Sequence, residues 1–301
     1  MSKFRFLAKG VAQNTFLTKK SFAFFTQLKI YSASKWSTHQ ARFLENNHAW
    51  RNTNNNLIAN EKVFSSLELL RCLEIPDAEF IRVGPPHDGG YLVYKNTDSY
   101  QKVFSIGVGN DTSFEEDLLS LNSKIIFYLF DHTEKPKRKL PDNFNFYEMG
   151  LAQNTVGKFL NLKDISRLFL TASDKALLKI DIEGAEYEAL MNTDHATLDK
   201  FEQIIIELHD IDLDKIVSIS FKTLLEKFAA KFNLIHIHGN NNDGFVYVNG
   251  VCLPRTLELT WLNKRNQLIE VPNSNIFPRT LDFPNVPGHD MHLGNFKFRT
   301  P

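Results

Sequence analysis

From residue 103 to residue 207 the chain alternates short apolar runs with amphipathic stretches. Runs at 103–106, 124–130, 143–147, 176–180 and 203–207 have the length and the aromatic and β-branched content of buried strands. Between them, residues 113–121 put Phe114, Leu118, Leu119 and Leu121 on helical spacing, with Ser113 as the N-cap and acids in the first turn. The pattern predicts two more helices, around 160–170 and over 186–191. Strands alternating with helices predict a mostly parallel sheet covered on both faces. On the flanks, Val63, Leu67, Leu70 and Leu73 predict a helix over 61–73. Residues 82–90 form a turn-rich loop and 91–94 a short strand. A helix is expected over 221–232. Runs at 234–238 and 245–248 read as a hairpin across the polar turn Gly239 to Gly244, which would give the sheet an antiparallel edge. A last strand is expected over 257–262, and the proline-bearing tail from Pro272 has no periodicity. The Asn-rich stretch 46–60 reads as a linker. The domains that follow are a leader and linker over 1–60, a domain over 61–262, and an extension over 263–301 packed on that domain.

Charge changes this picture at one end only. The formal net charge of the 301 residues is zero, but eight basic and no acidic residues precede Glu45. A basic leader therefore precedes an acidic body, which argues against nucleic acid as a partner of the whole molecule. Three readings of the leader stay open: a segment making peripheral contact with a membrane or partner, a mitochondrial transit peptide, or a plain arm. The two cysteines, Cys72 and Cys252, fit no ligand spacing and read as buried thiols of a reducing, cytoplasmic compartment, or a mitochondrial one if the leader is a transit peptide. No apolar stretch is long enough to cross a membrane as a helix.

Candidate chemistry lies at the strand ends. In an open α/β sheet the carboxyl ends of the strands form the ligand-binding edge. The run Leu177 to Ile180 delivers Asp181 and Glu183 there, and the run 103–106 delivers Gly107 and Gly109. Glycines let backbone approach a ligand closely. There is no third glycine of a dinucleotide fingerprint and no phosphate-binding Gly-Lys-Ser/Thr. Asp131 ends the next strand, where an acid takes two ribose hydroxyls. A glycine loop plus a ribose acid without a pyrophosphate cradle suits S-adenosylmethionine. Glu207, His209, His238 and Asn240 end further strands. His209 is the candidate general base, because an imidazole titrates near neutral pH. Asp181, Glu183 and Glu207 are its catalytic partners, and they also have the oxygen donors of a divalent-cation site. His87 and Asp88, in the loop before the first nucleotide-type strand, either cap the cofactor or make a tight turn; with His238 and Asn240 they form the candidate substrate-binding set. Trp261 and the aromatics from Phe277 to Phe298 read as acceptor-pocket lining or as core.

The segment Leu178 to Glu186, LKIDIEGAE, resembles the signature of FkbM-type S-adenosylmethionine-dependent methyltransferases. Asp88 to Tyr91, Phe104 to Asp111, Phe130 to Thr133, Ile206 to His209, His236 to Asn241, Leu253-Pro254, Leu257 to Thr260 and Leu281 to Asn285 are similar, in the same order, to a methyltransferase-like subgroup. The resemblance runs from about residue 82 to residue 293. It implies a class I methyltransferase fold, Rossmann-like, with a seven-stranded, mostly parallel sheet, one antiparallel strand and helices on both faces. It implies a cofactor loop at Gly107 and Gly109, a ribose acid at Asp131, and Asp111, His132 and Asp181 beside them. It also implies methyl transfer to a hydroxyl of a sugar, glycan or small metabolite. The alternative is a binding protein that retained the fold without the reaction.

Overall fold

The computed structural model describes residues 57–248, 251–268 and 276–296. The leader, and the linker as far as residue 56, lie outside them. In chain order the described elements are α1 (Leu57–Leu67), β1 (Phe80–Val83), β2 (Tyr91–Tyr94), β3 (Lys102–Ile106), α2 (Ser113–Leu121), β4 (Ile126–Phe130), β5 (Phe144–Tyr147), β6 (Gly150–Leu151), β7 (Phe159–Leu160), α3 (Leu162–Phe169), β8 (Ala176–Ile180), α4 (Glu186–Ala189), α5 (His195–Leu198), β9 (Phe201–Leu208), α6 (Leu213–Ile216), α7 (Ile219–Lys231), β10 (Phe232–Gly239), β11 (Phe245–Val248), β12 (Val251–Pro254) and β13 (Leu257–Asn263).

Seven strands form one sheet in the order β10-β13-β9-β8-β3-β4-β5. All are parallel except β13, which runs antiparallel to β9 and to β10. This is the expected class I methyltransferase topology. Successive side chains of a strand point to opposite faces, and the core divides accordingly. Phe104, Ile106, Leu178, Ile180, Ile204 and Ile206 join the larger cluster. Val103, Leu177, Ile205, Phe127 and Leu129 join the cluster on the other face, with Phe114 and Leu118 of α2. β9 is buried along its whole length, as a central strand covered on both sides must be. α7 turns Phe221, Leu224, Leu225 and Phe228 to the core and is capped by the Ser218 side chain, which accepts from the Phe221 N–H.

Three local expectations are corrected. The hairpin does not form: β10 pairs with β13, and Phe245–Val248 pairs with Val251–Pro254 in a separate ribbon. Both segments carry hairpin signals, but β13 is buried at every position and is stable only between two partners, so it inserts between β10 and β9. Ser113 is the first residue of α2 rather than its cap; Asp111 Oδ1 accepts from the Ser113 N–H (2.9 Å) and hydroxyl (2.5 Å) and caps the helix from outside. The helix expected over 61–73 starts four residues earlier, at Leu57, and ends in a 3-10 turn at Leu70.

The tail closes over the carboxyl edge of the sheet. Arg279, 5% exposed, donates from Nη1 to the Ile75 carbonyl (2.7 Å) and to Asp77 (2.7 Å), and its guanidinium lies over the rings of Phe80 and Phe277. Cys72 lies in the larger core cluster, and burial pushes its thiol up to about 12. Cys252 is half-buried, and burial pushes its thiol up to about 12 as well. Trp261 and Phe277 are 1% and 0% exposed and belong to the core, not to a pocket lining. Among the described residues no helix is long and apolar enough to cross a membrane.

Candidate active site

The register brings the candidate residues to one edge. Ile106 is level with Phe130 and with Ile180, so Gly107, Asp131 and Asp181 leave their strands side by side. Ile180 is level with Ile206, and Glu207 is level with Glu258 on β13, which is level with His238 on β10.

The two glycines of the first loop have different jobs. A Cβ on Gly107 would lie 1.6 Å from the Asp181 carbonyl oxygen, so this glycine lets the loop after β3 press against the end of β8. A Cβ on Gly109 would meet nothing within 4 Å, although its φ of +61° is left-handed. Gly109 faces open space, as a cradle for a ligand does. Its N–H donates to Asp131 Oδ2 (2.8 Å), and Asp131 Oδ1 accepts from the Thr133 N–H, the Thr133 hydroxyl and the Glu134 N–H at 2.7–2.9 Å. Burial pushes the Asp131 carboxyl up, but these four donors win and hold it below its ordinary value. Their number also corrects the ribose expectation: Oδ1 is filled, so Asp131 has room at Oδ2 for one hydroxyl rather than two. Asp111, spent on capping α2, closes the helix N-terminus where a pyrophosphate would sit. His132 is exposed at the same rim, its ring tilted on Phe159 with centroids 4.8 Å apart. The buildable part of the site therefore fits a nucleoside without a diphosphate: an open loop, one hydroxyl acceptor and no anion cradle.

One strand over, Asp181, Glu183, Glu207 and His209 converge. His209 Nδ1 lies 3.0 Å from Glu186 Oε1, which also accepts from the N–H groups of Ile182 and Gly184. His209 Nε2 then points at Asp181 Oδ1 (3.7 Å), Glu207 Oε1 (3.8 Å) and Glu183 Oε2 (3.6 Å). The Tyr91 hydroxyl lies 3.0 Å from Glu207 Oε2 and 3.2 Å from Asp181 Oδ2, spanning the two carboxylates, and Asn240 Nδ2 donates to Glu207 Oε1 (2.8 Å). Lys179 Nζ is 3.8 Å from Asp181 Oδ2 and lies over the ring of Tyr91. Burial raises the Glu207 carboxyl well above its usual range, and repulsion from Asp181 and Glu258 adds to it. Burial also raises Asp181, against the pull of Lys179 and His209. For His209, burial favours the neutral ring, but the bond to Glu186 and the charges of Glu186, Glu207 and Asp181 prevail and lift it to about 9. His209 is thus held through Nδ1 by Glu186 and faces three carboxylates through Nε2.

The substrate-binding set separates. His238 is 1% exposed, with Nδ1 on Glu258 (2.9 Å) and Nε2 on Asp290 (2.9 and 3.1 Å). Both ring nitrogens are engaged, so it cannot hold a substrate; it pins the tail to the sheet. Asn240 is buried behind Glu207, its Oδ1 accepting from the Asn242 N–H, and it orients that carboxylate. His87 and Asp88 are exposed at the rim and tied to the tail: His87 Nδ1 donates to the Pro284 carbonyl (2.9 Å) and the Asp88 N–H to the Asn285 carbonyl (3.2 Å). Sequence reasoning missed Tyr91, Lys179 and Glu186. Tyr91 and Lys179 sat inside apolar runs and read as strand residues. Glu186 had a signal, an acid at the start of a helix two residues after Gly184, that was spent on the helix dipole.

A family model described as the methyltransferase FkbM domain matches residues 75–239, more than half of the chain. No curated protein matches. Solved structures give distant likenesses. The fibrillarin/Nop5p complex is 12% identical, with 55% of this chain and 73% of that chain covered and a TM-score of 0.35. Human N-acetylserotonin methyltransferase in complex with SAM is 10% identical, with 56% of this chain and 49% of that chain covered and a TM-score of 0.30. The O-methyltransferase NcsB1 of neocarzinostatin biosynthesis, bound to S-adenosylhomocysteine, is 12% identical, with 55% and 50% covered and a TM-score of 0.28. The chain thus spans about half the length of the last two. Asp131, Asp181, Glu207 and His209 all fall inside the matched segment, and on that match the chain belongs to the FkbM methyltransferase family.

Proposed function

We propose that this methyltransferase uses S-adenosylmethionine and transfers its methyl group to a hydroxyl oxygen of a sugar, glycan or small metabolite. The observation that carries the reading is the pairing at one sheet edge of an open-faced glycine loop beside Asp131 with a polar group one strand away at Asp181, Glu207 and His209. The first can hold a nucleoside and the second can hold a polar acceptor. When bound, S-adenosylmethionine supplies an electrophilic methyl group on a sulfonium.

The protein's own work is then alignment and the exclusion of water. Gly109 leaves room for the nucleoside, and Asp131 fixes the loop and offers Oδ2 to a ribose hydroxyl. Asp181, Glu183, Glu207 and His209 orient the acceptor. Tyr91 and Asn240 hold the carboxylates in place, and Lys179 offsets part of their charge. The tail, pinned through His238–Asp290 and His236–Asp282, covers the acceptor side. The two free thiols fit a reducing compartment.

Calorimetric titration of the full chain with S-adenosylmethionine and S-adenosylhomocysteine, in EDTA, tests the reading. Micromolar binding is expected, weakened about tenfold or more in Asp131→Ala by loss of a charge-assisted hydrogen bond and of the loop it organises. Absence of binding to folded protein would overturn it. Acceptor classes are then separated with a labelled methyl group.

A further inference from the structure

His209 helps to orient the acceptor in the methyl-transfer reading, but that task does not require the ring of carboxylates around its Nε2. The side chain is 11% exposed, and Nε2 makes no hydrogen bond. It aims into a gap ringed by three carboxylate oxygens at 3.6, 3.7 and 3.8 Å. Those spacings are too long for hydrogen bonds, but they suit ligands sharing one ion. Donors about 2.0–2.2 Å from a common cation lie roughly 3.0 Å apart at right angles and roughly 4.3 Å apart when opposite. The ligand atoms of Asp181, Glu207 and His209 all lie within 4.8 Å of one another.

The surroundings are those of a metal site. The opposite ring nitrogen of His209 is held by Glu186, a residue with no exposed surface, which fixes the direction of Nε2. A carboxylate behind a histidine is the usual support of a metal-bound imidazole. Tyr91 and Asn240 fix the outer positions of the two carboxylates. Two non-glycine residues with left-handed backbone flank the gap, Glu183 (φ 54°) and Asp210 (φ 55°). Strain of this kind persists where the surroundings enforce it. Lys179 reaches Asp181, at 3.8 Å, and among the described residues Glu207 and Glu186 are buried acids without a lysine or arginine within salt-bridge reach. A divalent charge among them offsets that excess.

We propose that Asp181, Glu207 and His209 bind one divalent cation, with Glu183 as a ligand from the solvent side, and that the remaining positions of the ion take two neighbouring oxygens of the methyl acceptor. One nitrogen and two or three carboxylate oxygens select a first-row transition ion such as Mn²⁺ over Ca²⁺. The ion replaces the Nε2 proton. The second half of the proposal rests on the methyltransferase reading and deepens it: the acceptor is a vicinal diol or an α-hydroxy carbonyl compound, which can chelate. Coordination makes the hydroxyl more acidic. Its proton leaves to water, the oxygen pair forms the bond to the methyl carbon, and the carbon–sulfur bond breaks with its pair on sulfur, giving S-adenosylhomocysteine.

The test is direct binding. The full chain, stripped with EDTA and desalted, is titrated with MnCl₂ while free Mn²⁺ is followed by electron paramagnetic resonance. One site per chain is expected. Glu186→Gln should weaken it about 10- to 100-fold without removing a ligand, and Asp181→Asn and Glu207→Gln should weaken it further. Asp174→Asn, an acid paired with Lys102 at the opposite end of the sheet, should leave it unchanged. Absence of a site in the wild-type chain overturns the proposal, and so does equal Mn²⁺ affinity in folded Asp181→Asn and Glu207→Gln. Cofactor titration in EDTA is read separately: S-adenosylmethionine binding without Mn²⁺ binding sinks the metal site alone, and the reverse sinks the methyltransferase assignment alone. With both bound, equal labelling of a mono-hydroxyl acceptor and its vicinal-diol counterpart would overturn the chelating acceptor.

Discussion

At the scale of single residues, two glycines of one loop predict opposite outcomes. Gly107→Ala drives a Cβ into the Asp181 carbonyl and should cost about 4 kcal/mol or more, or prevent folding. Gly109→Ala adds a methyl to open space and pays only for left-handed backbone, about 1–2 kcal/mol. Urea unfolding of both variants checks the contrast; similar losses would mean that Gly107 is not packed as described. His238 predicts a pH dependence. Burial favours its neutral form, but Glu258 on β13 and Asp290 and Asp282 from the tail raise it well above the ordinary histidine value. A raised folded value stabilises fully below the unfolded value of about 6.5 and is lost as pH rises through the folded one. The stability difference between the wild type and His238→Gln should therefore be constant at acid pH and shrink through the alkaline range. A difference that grew with pH would show a neutral His238. The sequence marked this histidine correctly as a strand-end residue but could not show its partners, because Glu258 is 20 residues away and Asp290 is 52 away.

At the scale of elements, what the sequence showed depended on whether the signal was local. β8 falls where the apolar run predicted it, and β3 and β9 match within a few residues, because burial on both faces writes a continuous apolar run; β4, β5 and α3 match on the spacing of their buried positions. Strand pairing is not local. Residues 234–238 and 245–248 look like hairpin arms, and only the burial of all of β13 shows why the sheet takes β13 as the partner of β10. β1 went unread for a similar reason: Phe80–Val83 is four residues long and alternates only once. The same limit separates the parts of the site. Asp181, Glu183, Glu207 and His209 were legible because they end strong strands. Tyr91 and Lys179 were not, since a polar atom inside an apolar run becomes functional only through what lies across the sheet. α7 offers a test of the local rules: Ser218→Ala removes the acceptor for the Phe221 N–H and should cost about 1 kcal/mol in thermal or urea unfolding. No change would mean that the packing of Phe221, Leu224 and Phe228 alone sets the helix start.

At the scale of the whole molecule, the tail decides whether the carboxyl edge is a cleft or a covered site. Arg279 is its anchor. Arg279→Ala would remove the Nη1 hydrogen bond to the Ile75 carbonyl and the guanidinium between Phe80 and Phe277, while the half-exposed pairing with Asp77 adds little. A loss of about 2–3 kcal/mol is expected by chemical denaturation; a loss no larger than that of an exposed ion pair would mean that the tail docks without it. Cys72 lies under this corner, close enough to Arg279 for the two to interact, and its thiol is held near 12 by burial. Only thiolate reacts with an alkylating reagent, so iodoacetamide should leave Cys72 untouched in the closed protein and label it when the corner opens. The chain thus carries a chemical clock beneath its own cover, and the labelling rate of one sulfur counts how often the tail lifts from the sheet.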